Sequence, residues 1–246
     1  NQLQVRNYQK VLQLWEEYCL GESAEPEELA RILTAIKQSE FAQQFSTYAL
    51  QILPQVLEFK TFEEQIDPLR AIYDLQTQDS PELQDIAISF LKKYFETTPL
   101  FNEKLRLVGL RGGSTFQGAL TNFYLLHHLQ KNNFVLHTAG WGVGEIIDVS
   151  FVREQASIEF ENLKGAKRDI SFKNAFKTLL PISKDHFLAR RFADPDRLEK
   201  EARNNPDIIV RLLLESLGPK TAAEIKNEIV DYVIPEEDYS KWWQQA

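Results

Sequence analysis

The chain has 246 residues, 43% of them hydrophobic and 26% charged, a composition that sustains a globular core of one or two domains. Its formal net charge of -8 argues against a nonspecific nucleic-acid binder, because phosphate backbones attract positive faces. A single cysteine, Cys19, excludes an internal disulfide and a cysteine-rich metal site, and no apolar run reaches the ~18 residues a membrane span needs.

A chain that begins at Asn1 and lacks methionine reads as a piece of a longer protein. Its cysteine usage, with no signal-peptide pattern at the start, predicts a cytoplasmic location.

Residues 1–133 are expected to be helical. Val5, Tyr8, Leu12 and Trp15 recur at three- and four-residue spacing, as one helix face requires, and Gly21 closes that helix. Pro26, Glu27 and Glu28 open the next, where the helix dipole favours acids. A third helix runs from Phe41 to near Pro54, and Pro68 is read as the start of a fourth carrying Leu69, Ile72 and Tyr73. Ser80-Pro81-Glu82 signals a fifth, reaching Phe95, and residues 103–110 form another. The spacings approach those of helical repeats. A right-handed stack of helical hairpins and an irregular bundle both remain open, since no repeated motif names a repeat family.

The run from Gly109 to Thr115 breaks this pattern. It lacks the lysine and Ser/Thr pair of a phosphate-binding P-loop, so a connecting loop is the simpler reading. Ser114 or Thr115 caps the helix carrying Phe116, Leu120 and Phe123.

Residues 134–183 switch to period-2 alternation with β-branched and aromatic residues. Strands are expected at 134–137, 145–151, 157–161, 170–172 and 180–182, with Ile147, Val149 and Phe151 sharing one face of the second. Five short strands with a helical turn before the last predict a small SH3-like or Tudor-like β-barrel, closed on itself to remove its edges. The run Gly140-Trp141-Gly142-Val143-Gly144 opens it. A dinucleotide-binding fingerprint needs a helix after its glycines, whereas here a β-branched strand follows. Gly140, Gly142 and Gly144 are therefore read as a tight structural turn. Trp141 is either a lid over the barrel core or an exposed docking aromatic.

Residues 184–246 return to helices, opened by Asp194-Pro195, Asn205-Pro206, Thr221 and Pro235. Helix, Gly218-Pro219 turn, helix is the pattern of a DNA-binding helix-turn-helix. Its second helix carries Glu224, Glu228 and Asp231 against Lys226 alone, which phosphates would repel, so a structural or protein-binding role is favoured. The fold class is thus mainly α: a repeat-like helical region (1–133), a five-strand barrel (134–183) and a C-terminal helical region (184–246).

Charge separates these regions. Residues 1–133 hold 12 basic and 17 acidic residues, 134–193 hold 9 and 7, and 194–246 hold 7 and 12, so only the barrel region is locally basic. Its candidates for partner binding are Trp141, Arg153, Lys164, Lys167, Arg168, Arg190 and Arg191, with Lys173 and Lys177 nearby. Such a patch steers toward an acidic protein surface or toward DNA or RNA, and a merely solvated face is the plain alternative. No histidine or acid spacing suits a metal, and no nucleophile motif appears, so no catalytic residue, metal or cofactor is assigned. Neither a membrane nor a small-molecule substrate is expected as a partner.

The runs 137–146, 184–192 and 217–226, with Ile234-Pro235-Glu236-Glu237 and Trp242-Trp243, resemble the long N-terminal extension of chlamydial-type GreA transcription elongation factors. The resemblance extends back through Leu14-Trp15-Glu16-Glu17-Tyr18-Cys19 and 103–110. It implies RNA polymerase as the partner. In that family, transcript cleavage depends on a coiled coil with an acidic tip, and an FKBP-like domain docks on polymerase. Neither part is recognisable here, so the resemblance implies a non-catalytic docking module. The barrel is also similar to the Tudor-like modules of CarD and transcription-repair coupling factors, which pair a strand with the polymerase β subunit. A nucleic-acid-binding module and a purely architectural scaffold are the alternatives.

Overall fold

The computed structural model describes residues 3, 6–21, 24–112, 118–163 and 166–246. They fall into two compact units, Asn1–Tyr124 and Leu125–Ala246. Val5, Ser114, Thr115 and Phe116 lie outside the described residues.

The first unit is helical: α1 (Tyr8–Cys19), α2 (Pro26–Lys37), α3 (Ala42–Ala49), α4 (Leu53–Glu58), α5 (Phe62–Asp74), α6 (Pro81–Phe95) and α7 (Phe101–Leu107). The chain leaves it through α8 (Ala119–His128). Leu29 and Leu33 of α2 and Leu69 and Ile72 of α5 are fully buried. Each contributes about 1.5–3 kcal/mol by leaving water. Trp15 packs edge-on against Phe45 at 5.0 Å, and its indole N–H donates to the Tyr48 carbonyl at 2.9 Å.

Two expected boundaries differ. Helix α5 starts at Phe62, not at Pro68, because Thr61 and Glu64 form a reciprocal capping box. Pro68 sits inside it. The expected third helix is broken by a 3₁₀ turn at Leu50–Ile52, and Pro54 takes the first turn of α4, where its missing N–H costs nothing.

The second unit carries the sheet: β1 (Phe134–His137), β2 (Gly142–Ser150), β3 (Gln155–Phe160), β4 (Lys167–Ser171) and β5 (Leu179–Ile182). A 3₁₀ turn (Glu161–Leu163) precedes β4, and α9 (Phe172–Thr178) is the helical turn before the last strand. The order is β4-β3-β2-β1-β5, with every pairing antiparallel. The five strands are as expected, but the ends do not pair, so the sheet is open rather than a closed barrel. Both end strands have edge chemistry. Strand β4 exposes Lys167, Arg168 and Asp169, and β5 contains Pro181, which lacks a donor.

A bulge between Ile146 and Asp148 shifts the register of β2 on β3. Ile146, just before the bulge, is buried, while Ile147 and Val149, expected to share one face, are only half-buried.

The remaining helices are α10 (Phe187–Ala193), α11 (Pro195–Asn204), α12 (Pro206–Leu217), α13 (Ala222–Ile229) and α14 (Glu236–Trp243). The Asp194 carboxylate caps α11, and Thr221 forms a capping box with Glu224 on α13. One apolar core joins sheet and helices: Phe134 and Val143 from the sheet, with Phe187, Ile209, Leu213, Ile229 and Trp242 from the helices. The Trp242 indole N–H donates to the Ala202 carbonyl at 2.7 Å, satisfying a polar group inside that core.

Candidate docking surface

The glycine run lies where β1 turns into β2. Gly140 and Gly142 have φ of 92° and 77°, a region that favours glycine. Gly144 is a glycine for a different reason. A Cβ there would lie 2.6 Å from Ile158 Cγ2 and from the Phe160 ring, which close over the strand.

Trp141 is half-buried. Its ring stacks on His137 at 4.2 Å with the planes 11° apart, and meets Phe160 nearly edge-on at 5.4 Å. His137 is 7% exposed, and burial pushes its imidazole below the ordinary value. Its Nδ1 accepts from the Ala139 N–H at 3.2 Å, which places the neutral ring's proton on Nε2.

Asn162 clamps this turn. Its N–H donates to the Trp141 carbonyl at 3.2 Å, and its Nδ2 donates to the Gly140 carbonyl at 3.1 Å. Its neighbour Glu161 accepts from Arg191 Nε at 3.2 Å and Nη2 at 3.1 Å. Arg191 Nη1 donates to Glu228 on α13 at 3.2 Å, and the guanidinium lies 4.6 Å from the Tyr232 ring centre. The Arg191 side chain is 10% exposed. Arg190 donates to Glu201 on α11, which also accepts from Arg197 at 3.1 Å. Hydrogen bonding from Arg190 above all holds the Glu201 carboxyl below the usual carboxylate range.

Trp141, Arg190 and Arg191 are thus drawn into the unit's own structure. The first and last are linked through Glu161 and Asn162. That Glu161, Asn162, Glu228 and Tyr232 hold the glycine turn and Arg191 was not read from the sequence. The side-chain hydrogen bonds of the three polar ones to Gly140 and Arg191 span 22 to 37 residues, a distance at which spacing carries no signal.

Lys167 and Arg168 are placed differently. Both are exposed on β4 and pair with no carboxylate among the described residues. Arg153, on the β2–β3 hairpin, is 3.9 Å from Asp148 with both side chains well exposed, a contact that contributes little. Lys173 and Lys177 are exposed on α9. Lys164 lies outside the described residues. The only β4 carboxylate, Asp169, accepts from the Ser157 hydroxyl.

The backbone of β4 is half used. Phe172 N–H donates to the Glu154 carbonyl at 2.7 Å just beyond the ladder. Alternation along an antiparallel pair then turns the main-chain groups of Lys167 and Asp169 away from β3. An open strand edge flanked by basic side chains is a template for an acidic or hydroxyl-rich extended segment.

Among the described residues, no group of three or more His, Cys, Asp or Glu is placed to hold a metal ion. None of their helices is long and apolar enough to cross a membrane.

Residues 188–246 match the GRAD helix-turn-helix domain. That match takes in nearly all of α10 and the whole of α11 to α14. The full chain is 47% identical over 235 residues to transcription elongation factor GreA of Chlamydia pneumoniae, covering 96% of this chain and 32% of the relative. It is 48% identical over 233 residues to GreA of Chlamydia trachomatis, covering 95% and 32%. The resemblance to chlamydial GreA read from the sequence therefore holds along nearly the whole chain. The chain spans about a third of the length of the curated relatives it matches. No solved structure matches it.

Within the GRAD helix-turn-helix region, α13 presents exposed Glu224 at its start, and its Glu228 is bound to Arg191. Lys226, its one cation, lies 3.7 Å from Glu236. The arrangement turns α13 toward the sheet and leaves little positive charge for a phosphate backbone.

Proposed function

We propose that this chain is a non-catalytic docking portion of a GreA-like transcription elongation factor, working in the bacterial cytoplasm. It contacts RNA polymerase through the open side of its sheet, made by β4 and α9. The observation that carries this reading is the pair Lys167 and Arg168. They stand exposed on a strand with an unpaired edge, in an otherwise acidic chain similar to GreA. The partner segment supplies carboxylates to the basic side chains and a strand to the edge.

The test uses the longer factor and purified core RNA polymerase. Binding by the parent protein, weakened at least about tenfold by Lys167→Glu with Arg168→Glu, is the expected result. Equal binding by both proteins overturns the assignment of this face. No binding by the parent overturns the partner.

A further inference from the structure

We propose that the first unit carries a docking site of its own: an apolar groove between α4 and α6 that takes a basic amphipathic helix of a partner protein. The proposal goes beyond the reading of the sheet and does not rest on it.

Two clefts, of about 430 and 370 Å³, meet at Ile86. One wall runs from α3 through the 3₁₀ turn to α4 and carries Leu50, Leu53 and Leu57. The other wall is α6, with Leu83, Ile86 and Phe90. Both triplets step by three and then four residues, so each wall presents one apolar stripe. Leu53, Leu83 and Phe90 are buried, whereas Leu57 is 37% exposed and Leu50 and Ile86 are half-buried. From Leu83 to Lys93 the α6 wall runs about 15 Å, nearly three helical turns.

Two buried glutamines hold the walls apart. Gln65 Nε2 donates to the Leu57 carbonyl on α4 at 2.8 Å, and its Oε1 accepts from the Tyr94 hydroxyl on α6 at 2.8 Å. Gln76 Nε2 donates to the Ser46 carbonyl at 3.2 Å and to the Ile72 carbonyl at 2.8 Å, fixing the α3 end. These bridges set the width of the groove, so a partner meets it already formed, which favours affinity.

The walls also say what fits. Their backbone groups are used within helices, so an extended segment would find no strand edge to pair with. A helix brings its own backbone bonds and an apolar stripe of matching spacing. Glu82 and Asp85 stand exposed on the α6 wall, and neither pairs with a cation among the described residues. The helix dipole accounts for Glu82 in the first turn of α6 but not for Asp85 beyond it. Lys93 lies at the other end, its Nζ 4.6 Å from the Tyr94 ring centre. The partner helix therefore places Lys or Arg, one turn apart, beside the Leu83 half of the groove. A phosphate backbone would be repelled by the same carboxylates.

The experiment measures fluorescence anisotropy of a labelled model peptide of about four helical turns with the whole chain. Its leucines follow the three-then-four spacing, and two lysines one turn apart flank them. One twin has glutamates for the lysines, and another has a central proline. The lysine peptide should bind at least about tenfold more tightly than either twin. Ser89→Trp should fill the groove and cut binding at least about tenfold, as should Leu57→Lys. Glu82→Lys with Asp85→Lys should reverse the preference toward the glutamate twin. All four positions are exposed, so circular dichroism should be unchanged in every variant. No binding by the parent, equal binding of the lysine and glutamate peptides, or binding that survives Ser89→Trp overturns the proposal. Self-association of the chain that Ser89→Trp abolishes makes the occupant a second copy and also overturns it. The docking reading of the sheet stands or falls separately, on Lys167→Glu with Arg168→Glu.

Discussion

Arg190-Arg191 and Lys167-Arg168 are two basic pairs from the same locally basic stretch, and the unit treats them oppositely. The α10 pair meets Glu161, Glu201 and Glu228 and is absorbed into the join between sheet and helices. The β4 pair meets no carboxylate among the described residues and faces solvent on an unpaired edge. Composition gives both the same charge. What separates them is which carboxylates the fold brings opposite, so a count of cations overstates the surface available to a partner.

The sharpest way to break that contrast is Arg191→Ala. It strands Glu161 and leaves Glu228 only Lys220, 3.8 Å away, in a largely enclosed site, and should destabilise the second unit by about 3 kcal/mol. Urea unfolding measures it, and a loss no larger than that of a surface substitution would erase the distinction. Gly144→Ala probes the same inner side by overpacking. Its methyl group must push against Ile158 and Phe160, at a cost of about 2 kcal/mol in the same assay.

On the outer side, Lys167→Glu with Arg168→Glu should change stability by less than about 0.5 kcal/mol. Its effect should appear only as the loss of polymerase binding described above, fading as salt rises.

The smallest expected effect is one of acidity. Burial holds His128, His137 and His186, all in the second unit, below the ordinary imidazole value of 6.5. The neutral rings of the folded state bind protons less readily than the unfolded chain does. Their contribution is therefore fully present above pH 6.5 and is lost as pH falls below it. Melting followed from about pH 7.5 to about 5.5 should show the second unit weakening, and His137→Gln should flatten part of that slope.

Much of the fold was legible because it rests on local signals. Strand alternation over 134–182, the helix starts at Pro26, Pro81, Pro195 and Thr221, and the helical turn before the last strand all follow from neighbours in sequence. Two local signals were outweighed. The capping box Thr61–Glu64 was hidden by the more conspicuous Pro68, and the β2 bulge displaced the apparent alternation of Ile147 and Val149.

The candidate site was legible only in part. Basic residues could be located but not sorted, because sorting depends on carboxylates far away in the chain.

The shared core has a practical consequence for chimaeras. Phe134 and Val143 belong to the sheet by backbone pairing but bury their side chains among α10 to α14. A graft that ended near Ser183 would leave those side chains, with Leu136 and Ile182, facing water, and would strip Glu161 of its arginine. The smallest portable cassette is therefore the sheet together with its helices. Exchanges between related factors that cut between them would measure misfolding rather than recognition.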